Sequence, residues 1–476
     1  MTGKLKVMFV VPPLGAGDFA TQTDAVLARC AGIYTKTDYV VPPLGLAYVC
    51  AAVEAWADAE VELMDAVAGK DTVAETVAEV VRFRPDVLYV AAGTSTLRRD
   101  LRFLARCKKA LPGLTTAVMG THVTVLPSDA FVEPGADFGI RGEPERTAAE
   151  LAAALADGRP VEEVPGLAIR WNGSYKSTPD RPLIADLDEI PHPARRFFRP
   201  YVYSPPFTRG TRFDVIITSR GCPYPCNYCS TGAYYGKKIR FRSAADVVAE
   251  LREMVKTEGV TQVGFWDDTF TIGKRRVVEI CDRIEESGLE FEWMCMSRVD
   301  TVDEEMLAGL RRAGCYLILY GVESGSQRVL DAMKKGITLA QVERAFEITY
   351  DAGIEAAAFF MFGNLEETEG DIRETIEFAK KLKASFASFN IATPYPGTEL
   401  YETVKDELNT DMEGMNARRA AVGDKELLES YISRAYREFY VRPSYVWRRL
   451  RRVQSAGEFF KMVKAGLNVL RLYVFG

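Results

Sequence analysis

The stretch Arg220–Ser230, RGCPYPCNYCS, contains three cysteines spaced C-x3-C-x2-C and follows the apolar run Val215–Ile217, which is typical of the end of a strand. A glycine and two prolines among the cysteines indicate a loop. Such a loop brings the thiols together, and in a reducing compartment a group of this kind usually binds metal. Closed structural zinc sites and ferredoxin-type iron–sulfur clusters use four protein ligands, so three cysteines leave one position for a ligand that is not protein.

Composition and charge are those of a globular protein with two or three domains. The chain has 476 residues, of which 47% are hydrophobic and 26% charged, and its net charge is -6. Because nucleic-acid-binding proteins are usually basic as a whole, we expect no nucleic-acid partner. No signal sequence or membrane-spanning segment is evident and nine cysteines suit a reducing cytosol, so we expect a cytoplasmic protein. His122 and His192 are the only histidines, which excludes a histidine-rich metal site.

The order of strand-like and helix-like runs predicts an α/β protein in four parts. Residues 1–150 alternate the two kinds of run and predict a doubly wound, Rossmann-like parallel sheet. Residues 151–205 are predicted to be a connector with a hairpin across Asn172-Gly173. Residues 206–401 contain six strand–helix units, fewer than the eight of a closed barrel, and predict an open, partial (β/α)6 barrel. Residues 402–476 are predicted to be a helical, basic C-terminal region.

One motif in the N-terminal part favours a different cofactor. Gly15–Ala20 matches G-x-G-x-x-A soon after the first strand, and Asp38 lies roughly where a ribose-binding acid is expected. However, Pro12 and Pro13 separate the strand from these glycines, and no helical periodicity follows before Ala25. We therefore disfavour dinucleotide binding.

The cysteine spacing, with Tyr228 just before the last cysteine, resembles the signature of the radical S-adenosylmethionine (SAM) superfamily. The resemblance implies that Cys222, Cys226 and Cys229 ligate three irons of a [4Fe-4S] cluster and that SAM chelates the fourth iron. It thereby accounts for the missing ligand.

Polar residues at the ends of the barrel strands are the expected SAM contacts, because a barrel places its chemistry there. Carboxylates suit the ammonium group and ribose hydroxyls of SAM, and arginine suits its carboxylate. With the resemblance, these rules nominate the following SAM-binding residues: Tyr228, Asp267, Asp268, Arg298, Glu323, Ser324 and Gly363.

The N-terminal part resembles the cobalamin-binding domain that is fused ahead of many radical SAM enzymes, through Pro42–Tyr48, Gly120–Thr124 and Arg141–Glu145. These motifs are predicted to be small or glycine-containing loops at strand ends. The resemblance implies cobalamin contacts from Pro43, Leu44, Gly45, Thr94, Ser95, Gly120, Thr121, His122, Gly142 and Glu143. Neither histidine lies in the D-x-H-x-x-G motif of methionine-synthase-type domains, so we expect a lower axial position of cobalt without histidine.

Together the resemblance covers nearly all of residues 5–401 and implies a cobalamin-dependent radical SAM enzyme. Our first expectation is a C-methyltransferase, in which a 5′-deoxyadenosyl radical removes hydrogen from an unactivated carbon and methylcobalamin supplies the methyl group. An oxidative cyclase or a ring-rearranging enzyme is the alternative within the family. A methylthiotransferase is disfavoured because a second cysteine triad is missing, and a zinc or electron-transfer protein is the alternative from another class.

The expected partners are a small-molecule, lipid or natural-product substrate and an electron donor such as flavodoxin or ferredoxin. The sequence does not name the substrate. The basic and aromatic residues after 430 predict either a helical cap on the barrel, which we favour, or peripheral contact with an anionic membrane. Cys281, Cys295 and Cys315 do not form a second cluster motif and are expected to be buried, inert thiols.

Overall fold

The computed structural model describes residues 4–14, 40–205, 208–209, 212–408 and 424–450. The Gly15–Ala20 motif, Asp38 and the tail beyond residue 450 therefore lie outside the described residues. Within the described ranges, no helix is long and apolar enough to cross a membrane.

The N-terminal part is a mainly parallel sheet. Its strands are β1 (Lys6–Val11), β2 (Glu60–Asp65), β3 (Val87–Ala91), β4 (Thr115–Met119), β5 (Phe138–Ile140), β6 (Leu167–Trp171) and β7 (Ser174–Ser177). They are arranged in the order β2-β1-β3-β4-β5-β6-β7, and the predicted hairpin β6–β7 adds antiparallel to β5. In the doubly wound order 2-1-3-4-5, ligands bind beyond the carboxyl ends of the strands.

Helices cover both faces of this sheet. They are α1 (Leu44–Ala57), α2 (Ala66–Gly69), α3 (Val73–Phe83), α4 (Leu97–Ala110), α5 (Thr121–Val125) and α6 (Pro144–Asp157). A capping box between Thr72 and Glu75 begins α3. The predicted loop at 120–124 is instead the short helix α5, because Gly120 adopts a φ of +134° and turns the chain directly out of β4.

The second part is an open parallel sheet of six strands. They are β8 (Phe213–Ile216), β11 (Gln262–Phe265), β12 (Glu292–Ser297), β13 (Cys315–Glu323), β14 (Glu355–Phe362) and β15 (Phe386–Ile391), and the short strands β9 (Ser219–Arg220) and β10 (Arg240–Phe241) pair separately. The order is β15-β14-β13-β12-β11-β8, so β8 and β15 are the two edges of the described sheet. The prediction of an open, partial barrel is confirmed.

Helices alternate with these strands and continue after them. They are α7 (Thr231–Tyr234), α8 (Ala244–Arg252), α9 (Lys274–Ser287), α10 (Glu304–Arg312), α11 (Gln327–Ala332), α12 (Leu339–Asp351), α13 (Glu369–Lys381), α14 (Glu399–Val404), α15 (Lys425–Tyr440) and α16 (Pro443–Leu450). Cys281, Cys295 and Cys315 are buried within this part, as expected.

One apolar core joins the two sheets. It runs from α1 and α6 through the connector to the inner face of the barrel, where Val215, Met294 and Leu317 are almost completely buried. A separate core fills the space between the barrel strands and their outer helices. Since burial of such a side chain contributes about 1.5–3 kcal/mol, the shared core holds the N-terminal part firmly on the barrel.

At both edges of the barrel sheet, side chains form hydrogen bonds with backbone groups of the edge strand. At β15, the Tyr440 hydroxyl accepts from the amide of Ala387 (3.0 Å) and donates to its carbonyl (2.8 Å). At β8, buried Arg195 donates to the carbonyl of Val215 (2.6 Å) and to the carboxylate of Asp214 (2.9 Å). Covered edges do not offer unpaired groups to another strand.

We predict that Tyr440→Phe lowers the free energy of unfolding by about 1–3 kcal/mol, since it removes two hydrogen bonds to a buried strand edge while keeping the ring. Urea unfolding monitored by circular dichroism measures the change. Tyr175→Phe, which keeps the ring stacked on Phe131, is the matched control and should change stability little. Equal stability of the two variants would contradict the role of Tyr440 at this edge.

Candidate active site

The cysteine loop leaves β9 through a residue that must be glycine. Gly221 has a φ of +91°, and a Cβ there would lie 2.6 Å from the carbonyl oxygen of Lys238. Asn227 then fixes the middle of the loop: its amide and side chain donate to the carbonyls of Met333 (3.1 Å) and Ala332 (3.0 Å) at the end of α11. The loop is therefore held at both sides.

Cys222, Cys226 and Cys229 line one open cavity of about 350 Å³ at the carboxyl ends of the barrel strands. In the described part of the chain, no group of three or more His, Cys, Asp or Glu side chains lies close enough together to hold a single metal ion. The three thiols line this one cavity, so a single group bound there could contact all of them.

Arg298, at the end of β12, lies on the cysteine loop. Its guanidinium is 3.5 Å from the centre of the Tyr224 ring and 3.9 Å from the Cys226 sulfur. The same group donates to both oxygens of Asp300 (2.9 and 3.0 Å) and to the carbonyl of Lys335 (2.8 Å). Most of its donors are thus already used, so the structure places Arg298 as a support of the cluster loop at the cavity wall.

Glu323, Lys335 and Tyr228 form a second polar group in the cavity. The Lys335 ammonium donates to the Glu323 carboxylate (2.7 Å) and lies 3.3 Å from the Tyr228 hydroxyl. Glu323 adopts a φ of +70°, rare for a residue with a side chain, where the register of β13 with β14 shifts. Burial, reinforced by the nearby Glu323 charge, raises the pKa of Tyr228, so its phenol stays neutral at physiological pH.

The other residues predicted to bind SAM divide into two groups. Asp268 lines the cavity, where it accepts from the Thr231 hydroxyl (3.2 Å). Asp267, Ser324 and Gly363 are not among the lining residues. Buried Asp267 instead accepts from the amide (3.0 Å) and hydroxyl (2.8 Å) of Thr218, and thereby supports the turn that precedes the cysteine loop.

Several residues that line the cavity were not among the predicted SAM-binding residues. Lys335 lies 12 residues after Glu323, and the turn between them that brings the two together could not be read from the sequence. Trp266, Met296, Leu319, Phe359 and Met361 form an apolar wall. For the four residues after Trp266, the alternation of inward- and outward-facing positions along β12 to β14 is the signal that indicates such a wall.

The residues predicted to bind cobalamin lie together at the carboxyl edge of the N-terminal sheet. Thr94 and Ser95 follow β3, Gly120 to His122 follow β4, Gly142 and Glu143 follow β5, and Pro43 to Gly45 begin α1. A Cβ on Gly142 would meet no atom within 4 Å, so the chain leaves open space at this point of the edge. Small residues around open space suit the approach of a large, flat ligand.

His122 is buried and both of its ring nitrogens have partners. One lies 3.1 Å from the Thr94 hydroxyl, and the other lies 3.1 Å from the Asp129 carboxylate. The hydrogen bond to His122 lowers the pKa of Asp129. Both ring nitrogens of His122 are therefore engaged by protein groups, which hold the imidazole in place after β4.

The carboxyl edge of the N-terminal sheet meets the mouth of the barrel. Helix α5, which follows β4, packs on α7, which directly follows the last cysteine of the loop. A Cβ on Gly397 would lie 2.8 Å from Val125 of α5 and 3.1 Å from Ala233 of α7, so only glycine allows this approach. The two predicted cofactor sites are therefore neighbours.

Comparisons with known proteins agree with this arrangement. The Radical SAM superfamily model matches residues 216–379, and the B12 binding domain model matches residues 31–152. A protein of Pyrococcus horikoshii named Uncharacterized methyltransferase PH0819 is 34% identical over 450 residues, which cover 92% of this chain and 93% of that protein. This chain belongs to the cobalamin-binding radical SAM enzymes. The cofactors of this cobalamin-binding radical SAM enzyme are a [4Fe-4S] cluster, SAM and cobalamin.

Two further proteins resemble this radical SAM enzyme. The anaerobic magnesium-protoporphyrin IX monomethyl ester cyclase of Rubrivivax gelatinosus is 28% identical over 419 residues, covering 85% of this chain and 75% of that protein. The solved structure of the cobalamin-dependent S-adenosylmethionine radical enzyme OxsB, with aqua-cobalamin and SAM bound, superposes with a TM-score of 0.71 at 17% identity. That match covers 97% of this chain and 70% of OxsB and supports the two-part fold.

We predict that Cys226→Ala abolishes SAM cleavage and lowers cluster iron while cobalamin stays bound, because Cys226 lies on the barrel loop and is not among the predicted cobalamin contacts. Anaerobic reconstitution followed by iron, sulfide and cobalt analysis measures each part. Cys281→Ala, which removes a buried thiol from α9, is the control and should retain iron. Retained SAM cleavage by Cys226→Ala would refute the cluster assignment, and zinc without iron in the unmutated protein would refute the family chemistry.

We predict that Arg298→Lys makes the cluster harder to reduce. Lysine cannot pair with both Asp300 oxygens, stack on Tyr224 and donate toward Cys226 at once. Because hydrogen bonds to cluster sulfurs raise the reduction potential, loss of the contact with Cys226 should lower it. The ratio of reduced to oxidised cluster at a fixed potential should fall by up to about tenfold, equivalent to about 59 mV for a one-electron couple. Potentiometric titration by EPR measures this ratio, with surface Arg283→Lys as control. An unchanged potential would contradict the contact.

Proposed function

We propose that this radical SAM enzyme is a C-methyltransferase that acts on an unactivated carbon of a small-molecule substrate. The observation that carries the proposal is the packing of α5, at the edge predicted to bind cobalamin, on α7, which follows Cys229. When bound, SAM on the cluster supplies a 5′-deoxyadenosyl radical, and cobalamin carries the methyl group. Methyl transfer to carbon needs both sites to reach one substrate, and this packing supports that requirement.

The protein's own contribution is an apolar surface beside the cysteine loop. Trp266, Met296, Leu319, Phe359 and Met361 line the side of the cavity formed by the inner face of the barrel. Such a wall accepts a hydrocarbon portion of a substrate and keeps water from the reacting carbon. A reactive carbon radical requires this exclusion.

The two cations of the cavity are each paired with a carboxylate. Arg298 is neutralised by Asp300, and Lys335 is neutralised by Glu323. These pairs keep the side chains oriented toward the cysteine loop, where the amino-acid end of SAM is expected. Because the cations lie on that side, we propose that the substrate contacts the apolar wall through its uncharged part.

A cyclase reaction is the second candidate, because the Rubrivivax gelatinosus relative is named as a cyclase and aligns with 85% of this chain. The two reactions differ in the fate of the SAM methyl group. Methyl transfer consumes one SAM to methylate cobalamin and releases S-adenosylhomocysteine, whereas cyclisation needs only reductive cleavage of SAM to 5′-deoxyadenosine.

The two candidates can be separated without knowledge of the substrate. We predict that the reconstituted, reduced enzyme incubated with methyl-labelled SAM yields labelled methylcobalamin and S-adenosylhomocysteine. The Cys226→Ala variant is the control and should retain this cobalamin methylation, since SAM as a methyl donor does not need the cluster to cleave it. Formation of 5′-deoxyadenosine with no label on cobalamin would overturn methyl transfer and favour the cyclase.

Two further partners are predicted, an electron donor and a membrane surface. The cluster must receive single electrons, so we propose a flavodoxin or ferredoxin as donor. Peripheral membrane contact would depend on the basic tail beyond residue 450, which lies outside the described residues. In the described part, Tyr436, Phe439 and Tyr445 of α15 and α16 are buried against the barrel, which supports a cap in this part of the region.

A further inference from the structure

A buried arginine lies directly before the cysteine loop. Arg220 ends β9, two residues before Cys222, and it is 3% exposed. Its backbone pairs with that of Arg240 on β10, so two arginines lie side by side on this small ribbon. A buried guanidinium beside a second, largely buried one requires negative partners, because an unpaired buried charge is strongly unfavourable.

Those partners come from the B12-binding domain. Glu143 and Glu145 follow β5, and they are 3% and 0% exposed. The Glu143 carboxylate accepts from Arg220 (3.1 Å) and Arg240 (2.9 Å), and Glu145 accepts from the second terminal nitrogen of Arg220. Although burial alone raises it, the two arginine charges hold the pKa of Glu143 below its ordinary value, so Glu143 is ionised.

The surroundings fix this group in one geometry. The Arg220 guanidinium lies 5.8 Å from the ring centre of Tyr48 on α1 and 5.5 Å from that of Tyr235 after α7. The second oxygen of Glu143 accepts from the amide of Ile184 in the connector (2.7 Å). The partners of Arg220 thus come from α1, from the start of α6 and from the residue after α7, and Arg220 cannot shift without breaking several charge-assisted hydrogen bonds.

We propose that Arg220, Glu143 and Glu145 form an interdomain latch, and that the two glutamates of the B12-binding domain are positioning residues for the [4Fe-4S] cluster. Arg220 is joined to Cys222 through Gly221 alone, so its position sets where the cysteine loop starts. The latch places the loop relative to the edge that carries the predicted cobalamin contacts. This inference goes beyond the proposed function and holds for methyl transfer and cyclisation alike.

The latch assigns Glu143 a different role from the one that the sequence predicts. As a cobalamin contact, Glu143 would support cobalamin binding and leave the cluster unaffected. Both of its oxygens, however, already accept hydrogen bonds from protein groups, namely Ile184, Arg220 and Arg240. The two roles predict opposite outcomes for the same substitution.

The test uses the full-length protein reconstituted with iron, sulfide and hydroxocobalamin. Glu143→Gln and Glu145→Gln remove one charge each and keep the side-chain shape. The readouts are the EPR spectrum of the reduced cluster with and without SAM, iron per chain, and bound cobalamin by absorbance. Glu150→Gln is the matched control, since Glu150 lies on α6 with Glu145 but pairs at the surface with Arg181.

We expect each latch variant to show altered EPR g-values and a several-fold smaller response to SAM, with bound cobalamin equal to that of the unmutated protein. Glu150→Gln should match the unmutated protein in every readout. Loss of cobalamin with an unchanged cluster spectrum would overturn the latch and restore the cobalamin contact. Unchanged spectra and cobalamin in both latch variants would also overturn it.

If a single latch variant fails to fold, the test can still be made with a double variant that removes both charges of the Arg220–Glu145 pair. In Arg220→Met/Glu145→Met no buried charge of that pair is left alone, and such replacements are often tolerated. If the latch positions the loop, this variant folds but keeps the altered cluster spectrum. A folded double variant with an unmodified cluster spectrum would show that the pair only stabilises the fold, and would contradict a positioning role.

Discussion

The contact between the cysteine loop and the carboxyl edge of the B12-binding sheet is the constraint on which the rest of the structure depends. Helix α5 packs on α7 and leaves room only for Gly397 between them. The charges of Arg220, Glu143 and Glu145 are buried at the same junction. Burial of these charges is tolerated only with the partners in place, so the junction has one favourable arrangement. The shared apolar core beneath it supplies the stability that such a polar junction lacks.

The fold could be predicted from the sequence because its signals are local. The hydrophobic periodicity of strands and helices predicted the six barrel strands and the five parallel strands of the N-terminal sheet. The number of barrel strands, six, predicted an open barrel. The cysteine spacing marked the loop without any tertiary information. By contrast, Gly120 was expected in a loop, and its backbone conformation instead starts α5 directly from β4. Positive φ values at glycine are not visible in hydrophobic patterns.

The candidate site could be predicted only in part. A position at the end of a strand does not tell whether a polar side chain lines the cavity or supports a neighbouring loop. Asp268, Glu323 and Arg298 line the cavity, and Arg298 also holds the cysteine loop. Asp267 instead holds the turn before the cysteines. Lys335 depends on a turn that brings it back to Glu323. Glu143 depends on two arginines about 77 and 97 positions away along the chain. Contacts of this range are decided by the assembled fold.

We propose that both cofactors occupy one shared site at this junction. Continuous-wave EPR of the protein that holds Co(II) cobalamin and the reduced cluster together tests it most directly, with each singly loaded form as reference. Two paramagnets at adjacent sites interact, so we predict broadened or split signals that neither reference shows. A spectrum equal to the sum of the two references, with both cofactors present at full occupancy, would contradict the shared site.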